Sequence, residues 1–117
     1  MRGPIAVVLA LAMAPALALS PEAQEFLEVA KRLEPVHCER QKLRREIALA
    51  DAERDAARGK LLRERFDALG RDRETARLDR RLAELEPRII DREGKPRRAE
   101  DLDAISLQRR AAFYRCN

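Results

Sequence analysis

The stretch of residues 35–69 constrains the fold of this chain more than any other segment. After Pro35 it contains one glycine, Gly59, and no further proline, and it is rich in Ala, Leu, Arg and Glu. Placing these residue types in a helix costs the least free energy. A single helix of this length would span roughly 50 Å at about 1.5 Å per residue. We therefore expect a long helical spine against which the other segments pack.

Apolar residues recur along this stretch at the alternating three- and four-residue spacing of a coiled coil. The series begins at Phe26 and continues through positions 29, 33, 36, 40, 43, 47, 50, 54, 57, 61, 64 and 68. Ten of these thirteen positions are apolar, and the exceptions are Arg40, Arg54 and Glu64. The pattern predicts a coiled-coil-like seam with polar interruptions.

The spine also has a second apolar face, which points roughly opposite to Ile47 at about 100° per residue. It is formed by Leu49, Ala52 and Ala56. A helix that is apolar on two sides lies between two neighbours. We therefore take Ile47, Leu49, Ala52 and Ala56 as the candidate interface residues, with Ile47 expected to be the structural member of the set.

Local signals mark the first helix and the end of the spine. Ser20-Pro21-Glu22 is typical of a helix start, with Ser as N-cap, Pro at the first position and Glu in the first turn. Pro35 disfavours helical backbone at residue 34, so the first helix should end or kink there, and the unbroken seam favours a kink. Gly70 suits the end of the spine, and Asp72 suits the N-cap of the next helix.

The remaining residues predict two more helices. The three-four spacing returns at Thr75, Leu78, Leu82, Leu85 and Ile89, so a helix should run back antiparallel to the spine. Pro87 lies within this pattern and should bend the helix, or end it and start another, near residue 86. A turn over residues 91–98 precedes a last helix that ends at Cys116. No segment indicates a strand. The sequence thus predicts one all-α domain, residues 19–117, built as an elongated helical hairpin or a three-helix bundle with coiled-coil-like packing.

Residues 1–18 have the features of a secretory signal peptide. Arg2 gives a positive start, residues 5–14 are all apolar, and Ala16-Leu17-Ala18 forms an A-x-A cleavage site. The apolar stretch falls short of the ~20 residues of a membrane-spanning helix, and no Cys follows the cleavage site to carry a lipid. We expect a mature chain that begins near Leu19, has no stable membrane anchor, and is periplasmic or secreted.

Cys38 and Cys116 are the only cysteines, and export would place them in an oxidising compartment. The return of the chain brings them to about the same level, so we predict a disulfide bond between them. The chain-entropy model gives roughly 4.5 kcal/mol, as an upper figure, for closing so long a loop. Cys38 lies about 200° around the helix from Val36, so the last helix must pack on the second face or the spine is irregular there. An intermolecular disulfide and a redox pair are the alternatives, and no C-x-x-C motif is present.

The residue inventory offers little for catalysis or metal binding. His37 is the only histidine, and once both cysteines are bonded it lacks the further ligands that a metal site requires. A Ser-His-Asp site would need His37 beside Ser20 or Ser106, which are better explained as an N-cap and an ordinary helix residue. The glycines are isolated and form no phosphate-binding loop. We predict a protein that is not an enzyme and holds no cofactor or metal.

The charge pattern does not favour a nucleic-acid partner. The formal net charge is +4, and 21 acidic residues are interleaved with 25 basic ones. All the basic residues except four lysines are arginines, which we attribute to coding bias because no continuous basic block forms. Single-strand binding would require a basic stripe with aromatic residues set into it, and aromatic residues make up only 3% of the chain.

Two families of small helical envelope proteins provide points of comparison. The final segment, Leu107-Gln108-Arg109-Arg110-Ala111-Ala112-Phe113-Tyr114-Arg115-Cys116, resembles the close of LprI-type lysozyme-inhibitor domains, which are cysteine-tied helical units. The cysteine spacing departs from that pattern. Periplasmic chaperones of the Spy and CpxP kind are similar in size, but their repeated Leu-Thr-x-x-Gln motif is absent here. Neither resemblance assigns the chain to a family.

These observations lead to an expectation about function. We expect an exported helical protein that acts by binding a protein partner in the cell envelope, chaperone-like or as a scaffold, with a homodimer possible. An inhibitor of an exported or host enzyme, such as lysozyme, is one alternative, although a basic protein is an odd partner for basic lysozyme. A coiled-coil subunit of an envelope complex is the other.

Overall fold

The computed structural model describes residues 19–116, which form four helices. These are α1 (Pro21–Ala52), α2 (Ala56–Arg71), α3 (Arg73–Ile89) and α4 (Ala99–Arg115). The all-α prediction is confirmed. The predicted signal segment, residues 1–18, lies outside the described residues. Within residues 19–116, no helix combines the length and the apolar character needed to cross a bilayer.

Helix α1 is the spine, but its bounds differ from the prediction. The predicted N-cap is confirmed, since the Ser20 side chain accepts a hydrogen bond from the backbone N–H of Ala23 at 3.1 Å. The helix continues through Pro35, so of the two outcomes expected there, an end and a kink, the end is excluded. Leu33 and Leu43 are buried on either side of Pro35. Packing on both sides therefore outweighs the local cost of a proline within a helix.

The single helix expected over residues 35–69 is interrupted at residues 53–55. The backbone N–H groups of Arg54 and Asp55 donate to the carbonyls of Asp51 and Ala50, which is the Schellman pattern of helix termination. Arg54 has a φ of 57°, the left-handed conformation that glycine usually supplies. Asp55 then caps α2 by accepting from the backbone N–H of Arg58. The chain thus reverses direction about fifteen residues before the predicted turn.

Helices α2 and α3 follow each other back along α1. In α2, Leu62 packs against Leu43 and Ala50 of α1. In α3, Leu78 packs against Val29 and Leu33, while Leu85 and Ile89 pack against Phe26. The α1 positions in these clusters belong to the predicted three-four seam, which is therefore confirmed for residues 26–50.

Arg40 lies beneath the junction between α2 and α3. Its guanidinium donates to both carboxylate oxygens of Asp79, at 3.3 and 2.8 Å, and it also lies close to Gly70. Gly70 is part of α2 and does not terminate it, whereas Asp72 caps α3 as predicted, by accepting from the backbone N–H of Thr75. The first polar interruption of the seam is thus an ion pair that joins α1 to α3.

Helix α4 runs parallel to the first half of α1. Ser20 contacts Asp101, the Leu27 carbonyl accepts from Gln108, and Glu34 accepts from Arg115, each at a sequence separation of 81. The predicted disulfide is confirmed: Cys38 is bonded to Cys116 with their Cα atoms 5.2 Å apart. Leu27, Glu34 and Cys38 share one face of α1, so the last helix does pack on a second face of the spine.

Candidate interaction surface

The described part of the molecule has two halves with different numbers of helices. The proximal half comprises α1 up to Cys38 together with α3 and α4. In this half, α1 is covered by α3 on one side and by α4 on the other. Helix α4 ends at Arg115, beside Cys38 at the middle of α1. Beyond that level only residues 39–52 of α1 and α2 continue, and we call this part the distal hairpin. The molecule therefore has a step where three packed helices become two.

An open groove runs between the two helices of the distal hairpin. Its lining residues come from α1 and α2 and are Arg44, Ile47, Ala48, Asp51, Arg63, Phe66 and Asp67. Ile47 and Phe66 also pack against the buried cluster of the hairpin, so the floor of the groove is continuous with the core. In the proximal half, the corresponding position along α1 is filled by α4, where Ile105 packs on Phe26.

Charged side chains form the walls of this groove. The Arg44 guanidinium lies over the Phe66 ring, 5.2 Å from its centroid, which is a cation–π contact. About two turns further along α1, Arg63 of α2 donates to Asp51 of α1 at 2.7 Å, and both side chains are more than half exposed. Exposed ion pairs contribute little to stability, so these walls can rearrange around a bound segment at low cost.

Leu49 and Ala52 extend the groove onto the face of α1 that α4 covers in the proximal half. Leu49 follows Cys38 by eleven residues, about three turns, and Ala52 follows Glu34 by eighteen residues, about five turns. Both therefore lie in line with residues that contact α4. No helix of residues 19–116 covers them, and the Leu49 side chain is 51% exposed. We call the open groove together with Leu49 and Ala52 the distal surface.

The structure brings the four sequence-predicted interface residues to this region, but not as one continuous helix face. Ala52 ends α1 and Ala56 begins α2, so the break at residues 53–55 separates them. Ala56 precedes Arg63 by seven residues and hence shares its side of α2. Ile47 is half-buried in the groove floor. Whether these residues bind a partner stays a prediction.

The sequence reasoning missed the α2 side of the groove. A single straight helix over residues 35–69 would hold Phe66 and Asp67 far from Arg44. The signal that could have located the turn is Asp55, a good N-cap residue directly before Ala-Ala.

A second cleft lies beside the disulfide, between α1 and the end of α4. Its lining includes Phe26, Ala30, His37, Arg109 and Phe113. Burial in this cleft lowers the pKa of His37, and the neighbouring Arg40 adds to the effect. Within residues 19–116, no three His, Cys, Asp or Glu side chains gather in a way that could hold a metal ion.

The fold and the site of residues 19–116 together define a class: an all-α unit of four helices with one disulfide and, at one end, a groove that no other described helix covers. Comparisons with protein-family models, curated proteins and solved structures found no match for this chain. Its function is therefore inferred from the surface.

Proposed function

We propose that the protein is an exported, non-catalytic binding protein of the cell envelope, chaperone-like or a scaffold, and that the distal surface is where a protein partner binds. The observation that carries this proposal is the step in the molecule: α4 stops at Cys116, and the apolar floor that it covers in the proximal half continues uncovered beside Ile47, Ala48 and Phe66. Grooves of this kind accept amphipathic helical segments.

The chemistry of the walls fits a holdase better than a tightly specific site. The walls carry both signs of charge, on long and exposed side chains such as Arg44, Arg63 and Asp67. Such side chains adapt to clients of differing sequence, while the apolar floor supplies the attraction. A disulfide across the proximal half suits a protein that works in an oxidising compartment.

Suppression of aggregation tests the proposal. The full-length chain is expressed for export, purified with its disulfide intact, and added to urea-unfolded citrate synthase during dilution, with light scattering as the readout. We expect the wild type to suppress scattering and Leu49→Asp to lose most of this effect. Leu49→Asp should fold normally, because its side chain is already half exposed.

Leu61→Asp is the matched control. Leu61 is 49% exposed, nearly the same as Leu49, but it lies on α2, about 200° around that helix from the groove residue Arg63, and not on the face of α1 that α4 covers in the proximal half. This variant should suppress scattering as well as the wild type does. Equal activity of Leu49→Asp and Leu61→Asp would exclude the distal surface as the binding site, and an inactive wild type would remove the chaperone-like reading.

A further inference from the structure

The cleft beside the disulfide, which we call the disulfide cleft, follows the second half of α4. It begins at Phe26, where Ile105 of α4 meets Leu85 of α3 in the proximal core. Beyond Ile105 none of the described residues of α4 is buried, and the cleft runs along this stretch to Cys116. The second half of α4 thus lies over a recess instead of a filled core.

The interior of this cleft is apolar and has the size of a small ligand. Its lining includes Ala30 of α1, Leu82 of α3 and Ala112 of α4. Phe113 stands at the mouth and is 52% exposed. The cleft has a volume of about 200 Å³, and an apolar cavity of about 150 Å³ holds one benzene ring. It therefore has room for a single ring or a short alkyl chain that carries a polar head, and not for a helix.

Positive charge predominates around the cleft. Lys31 and Arg109 both line it, and neither forms an ion pair with a carboxylate of residues 19–116. Among the described lining residues only Glu34 is acidic, and it already accepts from Arg115 at 2.6 Å. The lining thus carries two positive charges that no described carboxylate balances. A negative group on a ligand would be complementary to them.

Arg109 is held in place for such a group. Its guanidinium lies over the Phe26 ring, 5.6 Å from the centroid, in a cation–π contact. This contact does not use the N–H donors of the guanidinium, which can give two parallel hydrogen bonds to a carboxylate. A planar guanidinium that is already positioned loses less freedom for each hydrogen bond formed than a flexible lysine does.

We propose that the disulfide cleft is a binding site for a small amphipathic monocarboxylate. The ring or chain of the ligand lies against Ala30, Leu82 and Ala112, and its carboxylate accepts hydrogen bonds from Arg109. The volume of the cleft sets the size of the apolar part, and the unbalanced charge sets the sign of the head group. Alkanoates and arylalkanoates share this chemistry. The site is separate from the distal surface and does not depend on the function proposed for that surface.

His37 lies at the rim of the cleft and reports whether the cleft is occupied. Partial burial lowers its pKa, Arg40, Arg44 and Arg109 add to the effect, and Asp79 opposes it. The imidazole is therefore neutral at pH 7.5. A bound carboxylate favours the protonated form and should raise this pKa. By linkage, the ligand should bind more tightly at pH 5.5 than at pH 7.5.

Proton NMR of the exported, oxidised protein, purified without a histidine tag, tests the proposal. His37 is the only histidine, so its imidazole C–H signals need no assignment. The probes are phenylpropionate, phenylpropanol and phenylpropylamine, which share a ring and an arm and differ in the head group. We expect phenylpropionate to bind with a dissociation constant on the order of 1 mM and to raise the pKa of His37. The alcohol should bind about tenfold more weakly, and the amine more weakly still.

Octanoate distinguishes the two sources of this chemistry, because it carries the same head group on a chain in place of the ring. Tighter binding of octanoate indicates an alkanoate as the natural ligand, and tighter binding of phenylpropionate indicates an arylalkanoate. Either result supports the site. Failure of both acids to shift the His37 signals overturns it.

Substitutions separate the head group from the apolar part of the ligand. Arg109→Gln should weaken phenylpropionate about tenfold and leave phenylpropanol nearly unchanged. Ala112→Leu fills the cleft and should weaken both. Arg110→Gln is the matched control, because Arg110 is the neighbouring exposed arginine of α4 and does not line the cleft. This control should bind both probes as the wild type does.

The ligand comparison uses the wild type, so it does not depend on how well any variant folds. Equal affinity for the acid, the alcohol and the amine would overturn the proposal, and so would unchanged binding of phenylpropionate to Arg109→Gln. Leu49→Asp should bind phenylpropionate normally, and Arg109→Gln should still suppress citrate synthase aggregation. Failure of the disulfide cleft would therefore leave the distal surface standing, and the reverse also holds.

Discussion

Replacement of Asp101 is expected to destabilise the protein more than any other exchange of a single charge in α4. Asp101 lies in the first turn of α4 and is only 2% exposed. Its two carboxylate oxygens accept from the backbone N–H of Ser20 at 3.0 Å and from the Ser20 hydroxyl at 2.6 Å. The same hydroxyl accepts from the N–H of Ala23. One carboxylate in the first turn of α4 thus also binds Ser20, the N-cap residue of α1.

The magnitude follows from these bonds. Hydrogen bonds to a charged acceptor contribute about 1.5–3 kcal/mol each, but Ser20 is partly accessible to water, which can replace part of what is lost. We expect Asp101→Ala to lower the free energy of unfolding by about 2–3 kcal/mol. Asp101→Asn keeps one acceptor oxygen and the shape of the side chain, and should cost about 1 kcal/mol. A small domain has only about 5–15 kcal/mol in total.

Urea unfolding of the oxidised protein, followed by circular dichroism, measures these differences. Asp103→Ala is the matched control, because Asp103 is an exposed carboxylate near the same end of α4; it lies beyond the first turn, where the helix dipole acts most strongly, so its loss should cost less than about 0.3 kcal/mol. Ser20→Ala combined with Asp101→Ala should cost clearly less than the sum of the single changes. A loss for Asp101→Ala within about 0.5 kcal/mol of the control would refute this account of the site.

Three further predictions concern the backbone, the disulfide and pH. Arg54→Gly should stabilise the protein by about 1 kcal/mol in urea unfolding, because Arg54 has a positive φ that costs an L-residue more than glycine; Arg54→Ala, which retains that cost, is the control, and equal effects would contradict the prediction. Cys38→Ala with Cys116→Ala should lower the free energy of unfolding by about 2–4 kcal/mol, and hydrogen exchange should increase first at the end of α4, since its buried residues lie only in its first half; uniform exchange would argue otherwise. His37 has a folded-state pKa lowered below 6.5, so its protonation opposes folding and stability should fall as pH drops from about 6.5 towards that lowered value. Thermal melts at pH 7.5 and 5.5 should show a smaller difference for His37→Gln than for the wild type, and an unchanged difference would mean that other groups carry the dependence.

Helix starts and the main seam of this fold could be predicted because their causes are local or periodic. Ser20 and Asp72 cap helices as their residue types indicate, and the three-four spacing over residues 26–50 identifies the face that packs on α2 and α3. The disulfide followed from having only two cysteines and a returning chain.

The turn at residues 53–55 could not be predicted from the same rules. Arg54 adopts the left-handed conformation that the rules reserve for glycine, and the apolar spacing continues through the turn as if the helix did. Pro35 left two outcomes open, an end or a kink, and α1 remains helical there with Leu33 and Leu43 buried on either side. In both cases tertiary contacts decided between conformations of similar local energy.

The candidate surface was predicted in part. The sequence predicts a second apolar face that includes Leu49 and Ala52. These residues do lie in line with Cys38 and Glu34, which α4 covers in the proximal half. The groove itself depends on where α4 stops along α1. That position is set by pairs such as Ser20 and Asp101, 81 residues apart, and nothing in the sequence near either residue indicates the other.

The parallel pairing of α1 with α4 also has a consequence for the order in which the chain acquires structure. Residues 39–71 can close on themselves through a three-residue turn, so the distal hairpin requires only short-range contacts and should form early and fast. The first half of α1 has to wait, because its partner Asp101 is synthesised 81 residues after Ser20. During that interval Phe26 and Leu33 lack their α3 neighbours and are exposed to aggregation. The protein would then be most vulnerable at the end that is best packed once folding is complete.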